Sequence, residues 1–313
     1  MADRLQELWV LGGVTASGKT GFSLEWAEKN NAEILSCDSV AFYRGLDLGS
    51  AKPDQNEQEK IVHFGLDLAE VSEVFDVVQF HAYAKKVVHD IVARGKNALV
   101  VGGSGFFLNG FLRPVVDGVE ISEGVRRRVT KIYETEGISS ILRMLEKLNP
   151  EGLGKLDVKN PVRIIRALER CMQSGRPLSK LRDDFQKLPN PYATFQKKMI
   201  WLNRDDDDLM QRITWRTQRM IDGGMIEETK RAMQNGIENH PSLSESVGYR
   251  EVIHFIKNGG EKKEMIHSII KSTRQLVSKQ RKWFRKHFPD GACLHLSPEQ
   301  SIRVEDLPWV SGT

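Results

Sequence analysis

The sequence predicts an α/β fold, a parallel sheet flanked by helices and interrupted by a small all-helical insertion. Three observations carry this expectation. Short apolar runs at Leu8-Trp-Val-Leu11, Glu33-Ile-Leu-Ser-Cys-Asp-Ser39, Asn97-Ala-Leu-Val-Val101 and Met199-Ile-Trp-Leu202 are separated by helical stretches, as buried parallel strands joined by helices should be. The first run leads through a glycine-rich turn directly into a helical stretch, Gly21 to Lys29, with Phe22, Leu24 and Trp26 among its apolar positions. From about Glu123 to Lys187 no strand signal is visible, and charged helical segments at 123–136, 138–148 and 161–173 follow one another. The expected organisation is a core of residues 1–122 plus 188–313, with residues 123–187 as the insertion.

The turn is Gly13-Val14-Thr15-Ala16-Ser17-Gly18-Lys19-Thr20, which fits G-x-x-x-x-G-K-[ST] and makes the expected core P-loop NTPase-like. A strand, a glycine-rich turn and a helix start let backbone N–H groups converge on a phosphate with the helix dipole behind them. Lys19 adds a point charge, and the Thr20 hydroxyl can hold magnesium. A diphosphate or triphosphate is therefore the expected ligand.

The second strand ends at Asp38. In an open parallel sheet the ligand crevice lies beyond the carboxyl ends of the strands, which puts Asp38 beside the phosphate loop. Taken alone it serves equally as a cap for the next turn. The polar stretch from Tyr43 to Pro53 is too long for a simple connection and reads as a functional loop. Phe75 to Ala93 has helical periodicity. The strand at 97–101 then runs into Gly102-Gly-Ser-Gly105, where a nucleotide hydrolase would carry a magnesium-binding acid. Glycine there permits close backbone approach, and Ser104 offers a hydroxyl, so ordinary ATP chemistry is disfavoured.

In the insertion, Arg163, Arg166 and Arg170 share one helix face opposite Ile164, Ile165 and Leu168; solvation and RNA contact explain them equally. Asp205 to Asp208 suit a helix N-terminus, and Arg212, Arg216 and Arg219 share a face of the helix beyond. Surface solvation is the default there, but arginines on a helix returning to the core can reach a diphosphate. The helix at 264–288 carries Lys271, Arg274, Lys279, Arg281, Lys282, Arg285 and Lys286 with no acid after Met265, while Ile269, Ile270, Leu276, Val277, Trp283 and Phe284 face a core. An uncompensated positive stripe beside aromatics is the footprint of a nucleic-acid backbone. The tail from Asp290 carries little signal.

The composition is that of a globular chain: 313 residues, 40% hydrophobic, 28% charged, net charge +4. No apolar run approaches the length of a membrane span. The N-terminal Met-Ala-Asp-Arg-Leu-Gln-Glu lacks the order of a secretion signal. Cys37, Cys171 and Cys293 lie far apart without metal-ligand spacing and suit a reducing compartment, so a cytoplasmic protein is expected.

Taken together these motifs resemble the tRNA dimethylallyltransferase (isopentenyltransferase) family, bacterial type. The matching pieces are the phosphate loop, Cys37-Asp-Ser39, Tyr43-Arg-Gly45, Gly49-Ser-Ala-Lys-Pro53 and Gly102-Gly-Ser-Gly105. They continue with Pro161-Val-Arg-Ile-Ile-Arg-Ala-Leu-Glu169, Val247-Gly-Tyr-Arg-Glu251, Thr273-Arg-Gln275, Gln280 and Trp283-Phe-Arg285, in the family's order from about Leu8 to Phe288. The resemblance implies transfer of a dimethylallyl group from dimethylallyl diphosphate to N6 of the adenosine 3′-adjacent to the anticodon of tRNA, with release of diphosphate. It implies Asp38 as general base, Ser104 near the bridging oxygen, Arg216 on the diphosphate, and magnesium at Thr20. Contacts to the tRNA anticodon stem-loop carry over to Asp38, Ser39, Val40, Ala41, Ser104, Arg126, Val162, Arg163, Ile164, Ile165, Arg166, Val247, Gly248, Tyr249 and Arg250. A monomer is expected. The chain departs from the family's pattern at Val14 (usually Pro), Ser50 and Ser104 (usually Thr), Phe64 (usually His), Val162 (usually Gln), and Ser278-Lys279 (usually Lys-Arg). Two other classes compete. A small-molecule kinase would share Lys19 and Asp38 but has no need of the basic helix. A non-catalytic RNA-binding module has no use for Lys19, Asp38 and Ser104 at adjacent strand ends.

Overall fold

Seven strands form one sheet: β1 Gln6–Gly13, β2 Ala32–Ser36, β3 His63–Phe64, β4 Asn97–Gly102, β5 Phe195–Arg204, β6 Cys293–Leu296 and β7 Val310–Gly312. The structure is a computed structural model in which residues 6–297 and 303–312 are described. Met1 to Leu5, part of the stretch read against a secretion signal, lie outside the described residues, as do 298–302 of the tail. The strand order is β3-β2-β4-β1-β5-β6, all parallel, with β7 antiparallel on β5.

Parallel strands must be covered on both faces, and alternate side chains supply two cores. Leu8, Val10, Ala98, Val100, Met199 and Trp201 enter the larger one. Leu11, Leu99, Ile200 and Leu202 point the other way, toward Trp26 and Ala27. The helices covering the sheet are α1 Lys19–Lys29, α2 Gln55–Lys60, α3 Val77–Ala93 and α4 Gly105–Leu112, with α9 Asp206–Asp222, α10 Met225–Gln234, α11 Tyr249–Asn258 and α12 Lys262–His287 following the insertion. A capping box starts α3: the Asp76 side chain accepts from the Val78 and Gln79 N–H groups, and the Gln79 side chain accepts from the Asp76 N–H.

The tail is not featureless. It adds β6 and β7, and Trp309 packs on Trp9 and Trp26 with ring centroids 4.9 and 5.3 Å apart. Strands of four and three residues carry too little periodicity to be read locally; β5 supplies their partners.

Contacts divide the chain into two units, Met1–Leu112 with Tyr192–Thr313, and Arg113–Pro191. The second unit contains α5 Glu123–Glu136, α6 Ile138–Leu148, α7 Pro161–Ser174 and α8 Leu178–Gln186 around its own core of Val129, Ile141, Leu145, Leu168 and Leu181. The Asn160 side chain accepts from the Arg163 N–H at 3.2 Å to start α7, and Pro161 opens its first turn. Ile164 is buried in this core and Ile165 packs against it. The RNA contact expected of the Ile164 side chain is thereby corrected, because apolar spacing turns it inward. Val162, Arg163, Arg166 and Arg126 are exposed. Arg170 is paired with Asp117 and Arg163 with Asp157.

In the core unit, the register pairs Gly12 of β1 with Gly102 of β4 and Trp201 of β5, so the strands end level and their carboxyl-end loops gather at one edge. Here α12 lies unusually close to backbone. A Cβ on Gly12 would stand 2.3 Å from the Phe284 ring, and one on Gly105 2.4 Å from Trp283. Only glycine admits that approach.

The loop after β2 is held from the opposite side by Glu228 on α10, which is 3% exposed. Its Oε2 accepts from the Asp47 and Leu48 N–H groups, both at 2.9 Å, and its Oε1 from the Gly49 N–H at 3.0 Å and the Tyr249 hydroxyl at 2.6 Å. Lys52 closes the same loop, donating to Tyr43 O, Asp47 and Asp67 at 3.0, 2.6 and 2.7 Å. Four donors converge on one carboxylate, and an amide offers only one acceptor oxygen. Glu228→Gln should therefore lower stability by about 2–3 kcal/mol, the range for losing hydrogen bonds to a buried charged group. Denaturant unfolding measures the loss, and faster hydrogen exchange at Asp47 to Gly49 locates it. An unchanged midpoint with unchanged exchange would show that Glu228 does not hold this loop.

Candidate functional site

The phosphate loop leaves β1 at Gly13 and enters α1 at Lys19, with Ala16 and Gly18 in left-handed conformations at φ 64° and 96°. Several of its polar groups have partners. The Val14 N–H donates to Leu202 O at 3.2 Å, the Ser17 N–H to Val14 O at 3.2 Å, and the Thr15 N–H to the Gln280 carboxamide oxygen at 2.8 Å. The N–H groups of Ala16, Gly18, Lys19 and Thr20 make no hydrogen bond among the described residues. Unpaired donors at a helix start form a seat for an anion. The Ser17 hydroxyl, buried and without a partner, is a further orphan in the loop.

Lys19 Nζ donates to Gly13 O and Val14 O, both at 2.9 Å. Burial lowers its pKa to about 8, the positive charge of Arg216 adds to the effect, and Asp38 opposes it. Arg216 is itself lowered by burial and supported by Asp38. These mutual effects place Lys19, Asp38 and Arg216 within electrostatic reach of one another, although they come from α1, the end of β2, and α9. Asp38 does fill the capping role, since its Oδ1 accepts from the Val40 N–H at 3.0 Å. That turn also fixes its carboxyl group at the crevice.

A cavity of about 540 Å3 opens over these strand ends. Thr15, Asp38, Ser39, Val40, Ser104, Arg216, Val247, Gly248 and Arg250 line it, together with Lys279, Gln280 and Trp283 from α12. A smaller one of about 80 Å3 lies beside it, lined by Lys19, Thr20, Asp38, Ala41, Ser50, Lys52 and His63. Asp38 and Gly103 face both. Ser50 spends its hydroxyl on Leu46 O at 2.5 Å.

The structure corrects several expectations. Tyr249 is fully buried with its hydroxyl on Glu228, and its ring fills the space over Gly49, so its side chain cannot touch RNA. Ala41 is buried as well. Arg281 is not part of an uncompensated stripe: it donates to Asn203 Oδ1 at 2.8 Å, to Arg204 O at 2.7 Å and to Asp206 at 2.5 Å. Lys279 lines the cavity. The other six cations of the stripe from Lys271 to Lys286 are exposed, and none of these six forms an ion pair among the described residues.

Magnesium fits this donor set in one specific way. Among the described residues no three His, Cys, Asp or Glu side chains converge as a metal cage. Thr20 is exposed on the first turn of α1, and Asp38 lines the same small cavity. The Thr20 hydroxyl suits a cation that takes its remaining ligands from water and phosphate oxygens, which is the habit of magnesium.

Two residues that shape this site have no role that the sequence assigns. Gln280 bridges the Thr15 N–H and Gly103 O, the latter at 3.0 Å, and so ties the phosphate loop to the turn after β4. Arg204, at the end of β5, donates to Ser17 O at 2.8 Å. None of these three bonds has a local signal, since the partners are 265, 177 and 187 residues apart in the chain.

A family model described as IPP transferase matches residues 41–287. The tRNA dimethylallyltransferase of Opitutus terrae is 44% identical over 90% of this chain and 91% of its own length. That of Thermotoga neapolitana is 32% identical over 89% of each chain. Among solved structures, the tRNA delta(2)-isopentenylpyrophosphate transferase of Staphylococcus epidermidis superposes with a TM-score of 0.65 at 27% identity, covering 96% of this chain and 95% of the other. Matched by that family model over residues 41–287 and 44% identical over nine-tenths of its length to a tRNA dimethylallyltransferase, the chain belongs to the IPP transferase family, that of the tRNA dimethylallyltransferases.

Proposed function

We propose that this protein transfers the dimethylallyl group of dimethylallyl diphosphate to N6 of the adenosine 3′-adjacent to the anticodon of a tRNA. One observation carries the reading: Lys19, Asp38, Ser104 and Arg216 meet around adjoining cavities at the strand ends, beside a helix whose outer face is basic. In the reaction the bond from C1 of the allyl group to the bridging oxygen breaks, a bond from N6 to C1 forms, and N6 loses a proton. An exocyclic adenine amine is a poor nucleophile, so the Asp38 carboxylate takes that proton as the new bond forms. The diphosphate leaves as an anion, and its charge is met by the free N–H groups of the loop, Lys19 and Arg216. The Ser104 hydroxyl donates toward the bridging oxygen. Magnesium held at Thr20 would neutralise part of the diphosphate charge. The unpaired cysteines suit a cytoplasmic site of action, and among the described residues no helix is long and apolar enough to cross a membrane.

The direct test is radiolabel transfer from dimethylallyl diphosphate to unmodified tRNA. Asp38→Ala should slow transfer by roughly 10²–10⁴-fold, the range for removing a positioned acid or base, while tRNA affinity changes little. Chelation of magnesium should stop turnover. Near-normal turnover of the variant at saturating substrates would reduce Asp38 to a cap, and full activity in excess chelator would remove the metal.

A pH dependence follows from Lys19. With its pKa lowered to about 8, the group is an ammonium below that value and loses its charge as pH rises through it. Affinity for dimethylallyl diphosphate should therefore fall above about pH 8, since an opposite charge in a buried site contributes most to anion binding. Lys19→Arg keeps a charge that does not titrate in this range and should flatten the profile. Binding measured from about pH 6.5 to 9.5 brackets that titration and decides the point; identical profiles for both proteins would show that Lys19 does not set the dependence.

The outer face of α12 is expected to hold tRNA through phosphates. Lys282, Arg285 and Lys286 are exposed and outside the crevice, so neutralising all three should weaken tRNA binding and leave dimethylallyl diphosphate affinity unchanged. For every phosphate that the variant no longer neutralises, the slope of log affinity against log salt should fall by about 0.7–0.9. Salt titrations that give parallel lines of equal affinity would show a merely solvated stripe.

A further inference from the structure

Arg204 has no role in the proposed transfer, yet it is 8% exposed and two of its three guanidinium nitrogens are each spent on a neighbour. Its Nε donates to Ser17 O at 2.8 Å, across 187 residues of chain, and its NH1 pairs with Asp208 at 2.7 Å. Asp208, on the first turn of α9, accepts from Arg212 as well, at 3.0 Å. A Cβ on Gly18 would lie 3.6 Å from the remaining Arg204 nitrogen, so the guanidinium lies directly against the Ser17–Gly18 peptide.

The geometry points to Arg204 as a positioning residue for the phosphate loop: by holding Ser17 O it turns the Gly18 N–H toward the diphosphate. The cause lies in the peptide plane. In a trans peptide the carbonyl of one residue and the N–H of the next point in opposite directions, so fixing Ser17 O fixes the Gly18 N–H. That N–H is one of the loop donors without a partner. Gly18 is in the left-handed region, at φ 96°, where glycine has wide torsional freedom and the loop cannot hold the peptide by itself. Arg204 is suited to the task because it is fixed twice over. Asp208 clamps one nitrogen, and the Arg204 carbonyl accepts from Arg281 of α12 at 2.7 Å. An arginine without this second pairing would swing toward the incoming anion and compete for it. Here its charge is matched by Asp208, and its contribution is orientation.

The inference rests on the reading of residues 13–20 as the diphosphate seat, and its test separates the two. Removing Arg204 alone would leave the Asp208 carboxylate with Arg212 as its one remaining partner beside an emptied site, so the loss variant is Arg204→Met with Asp208→Asn, which takes away both charges of the pair. The conservative variant is Arg204→Lys, which keeps a charged donor at the reach of Ser17 O. Inorganic pyrophosphate with magnesium is the probe, read by calorimetry and by the amide resonance of Gly18 in protein labelled with 15N-glycine. The double variant should bind pyrophosphate about tenfold more weakly or worse, the smallest change expected for misplacing one hydrogen bond to a charged group. The KM for dimethylallyl diphosphate should rise by the same factor, while kcat and tRNA affinity stay within about threefold. The Gly18 resonance should lose most of its shift on pyrophosphate addition. Arg204→Lys should recover most of the affinity and the shift. Wild-type affinity in the double variant, or equal losses for tRNA and pyrophosphate, would overturn the positioning role. Failure of the wild type to bind pyrophosphate would overturn the phosphate-loop reading itself. If the double variant does not fold, Arg204→Lys decides by its Gly18 resonance alone: a shift like that of the wild type supports the tether, and a lost shift with unchanged affinity overturns it.

Discussion

The close approach of α12 to the ends of β1 and β4 is the constraint on which the site depends. Gly12 and Gly105 leave no room for a side chain where Phe284 and Trp283 lie, and the Trp201 and Phe284 rings stack at 5.2 Å with planes 7° apart. That approach lets Gln280 reach both the Thr15 N–H and Gly103 O. A residue larger than glycine at position 12 or 105 would push the helix outward by the size of at least a methyl group. The carboxamide would then no longer span the two turns. The phosphate loop and the Gly102-Gly-Ser-Gly105 turn are therefore held by one side chain from a third element. The packing of large rings against glycine determines where that side chain can sit.

Around this frame the charges are arranged for an anion that arrives from outside. Lys19 and Arg216 repel one another, burial disfavours both, and Asp38 offsets part of the cost. In the proposed reaction the diphosphate would relieve this electrostatic strain, its negative charges pairing with both cations at once and meeting the unpaired loop N–H groups. Until then Lys19 leans on the carbonyls of Gly13 and Val14. Glu228 and Lys52 act in the opposite way. They are side chains whose bonds are already made within the protein, and they hold the loop after β2 in place.

Most of the fold was legible because its signals are local. The strands β1, β4 and β5 are apolar runs, and α3 begins where Asp76 and Gln79 can form a capping box. The phosphate loop is written in consecutive residues. Asp38 and Ser104 were legible for a different reason, namely that the ends of parallel strands converge on a crevice, whereas Arg216, on a helix, was distinguished from Arg212 and Arg219 by the family resemblance alone. What escaped was what depends on partners far away in sequence. Nothing near Glu228 announces that three backbone donors and a tyrosine will meet it, and nothing near Arg281 shows that Asn203 and Asp206 will take its charge. Tyr249 and Ile164 show the same limit from the other side. A motif marks the position, but burial decides whether the side chain or only its neighbours can face a ligand.

The helix α12 joins the packing, the crevice and the basic surface, because its residues divide among three surroundings. Thr273, Val277 and Phe284 are buried in the core, Leu276, Gln280 and Trp283 line the crevice, and Lys271, Lys282 and Lys286 are exposed. At about 100° per residue these sets fall on successive sectors of one cylinder. In the proposed reaction the outer sector meets the phosphates of a nucleic acid, and the crevice sector lies about one-third of a turn away on the same rigid element. A backbone held on the outside is then held at a fixed offset from the cavity in which its base must react. Arg281 belongs to none of the three sets, and its position explains why: it lies at the edge of the outer sector, where Asn203, Asp206 and the Arg204 carbonyl are within reach. One cation of the stripe is thereby given up to fix the angle at which the other six are presented, and the same bond braces the backbone of Arg204 beneath the phosphate loop.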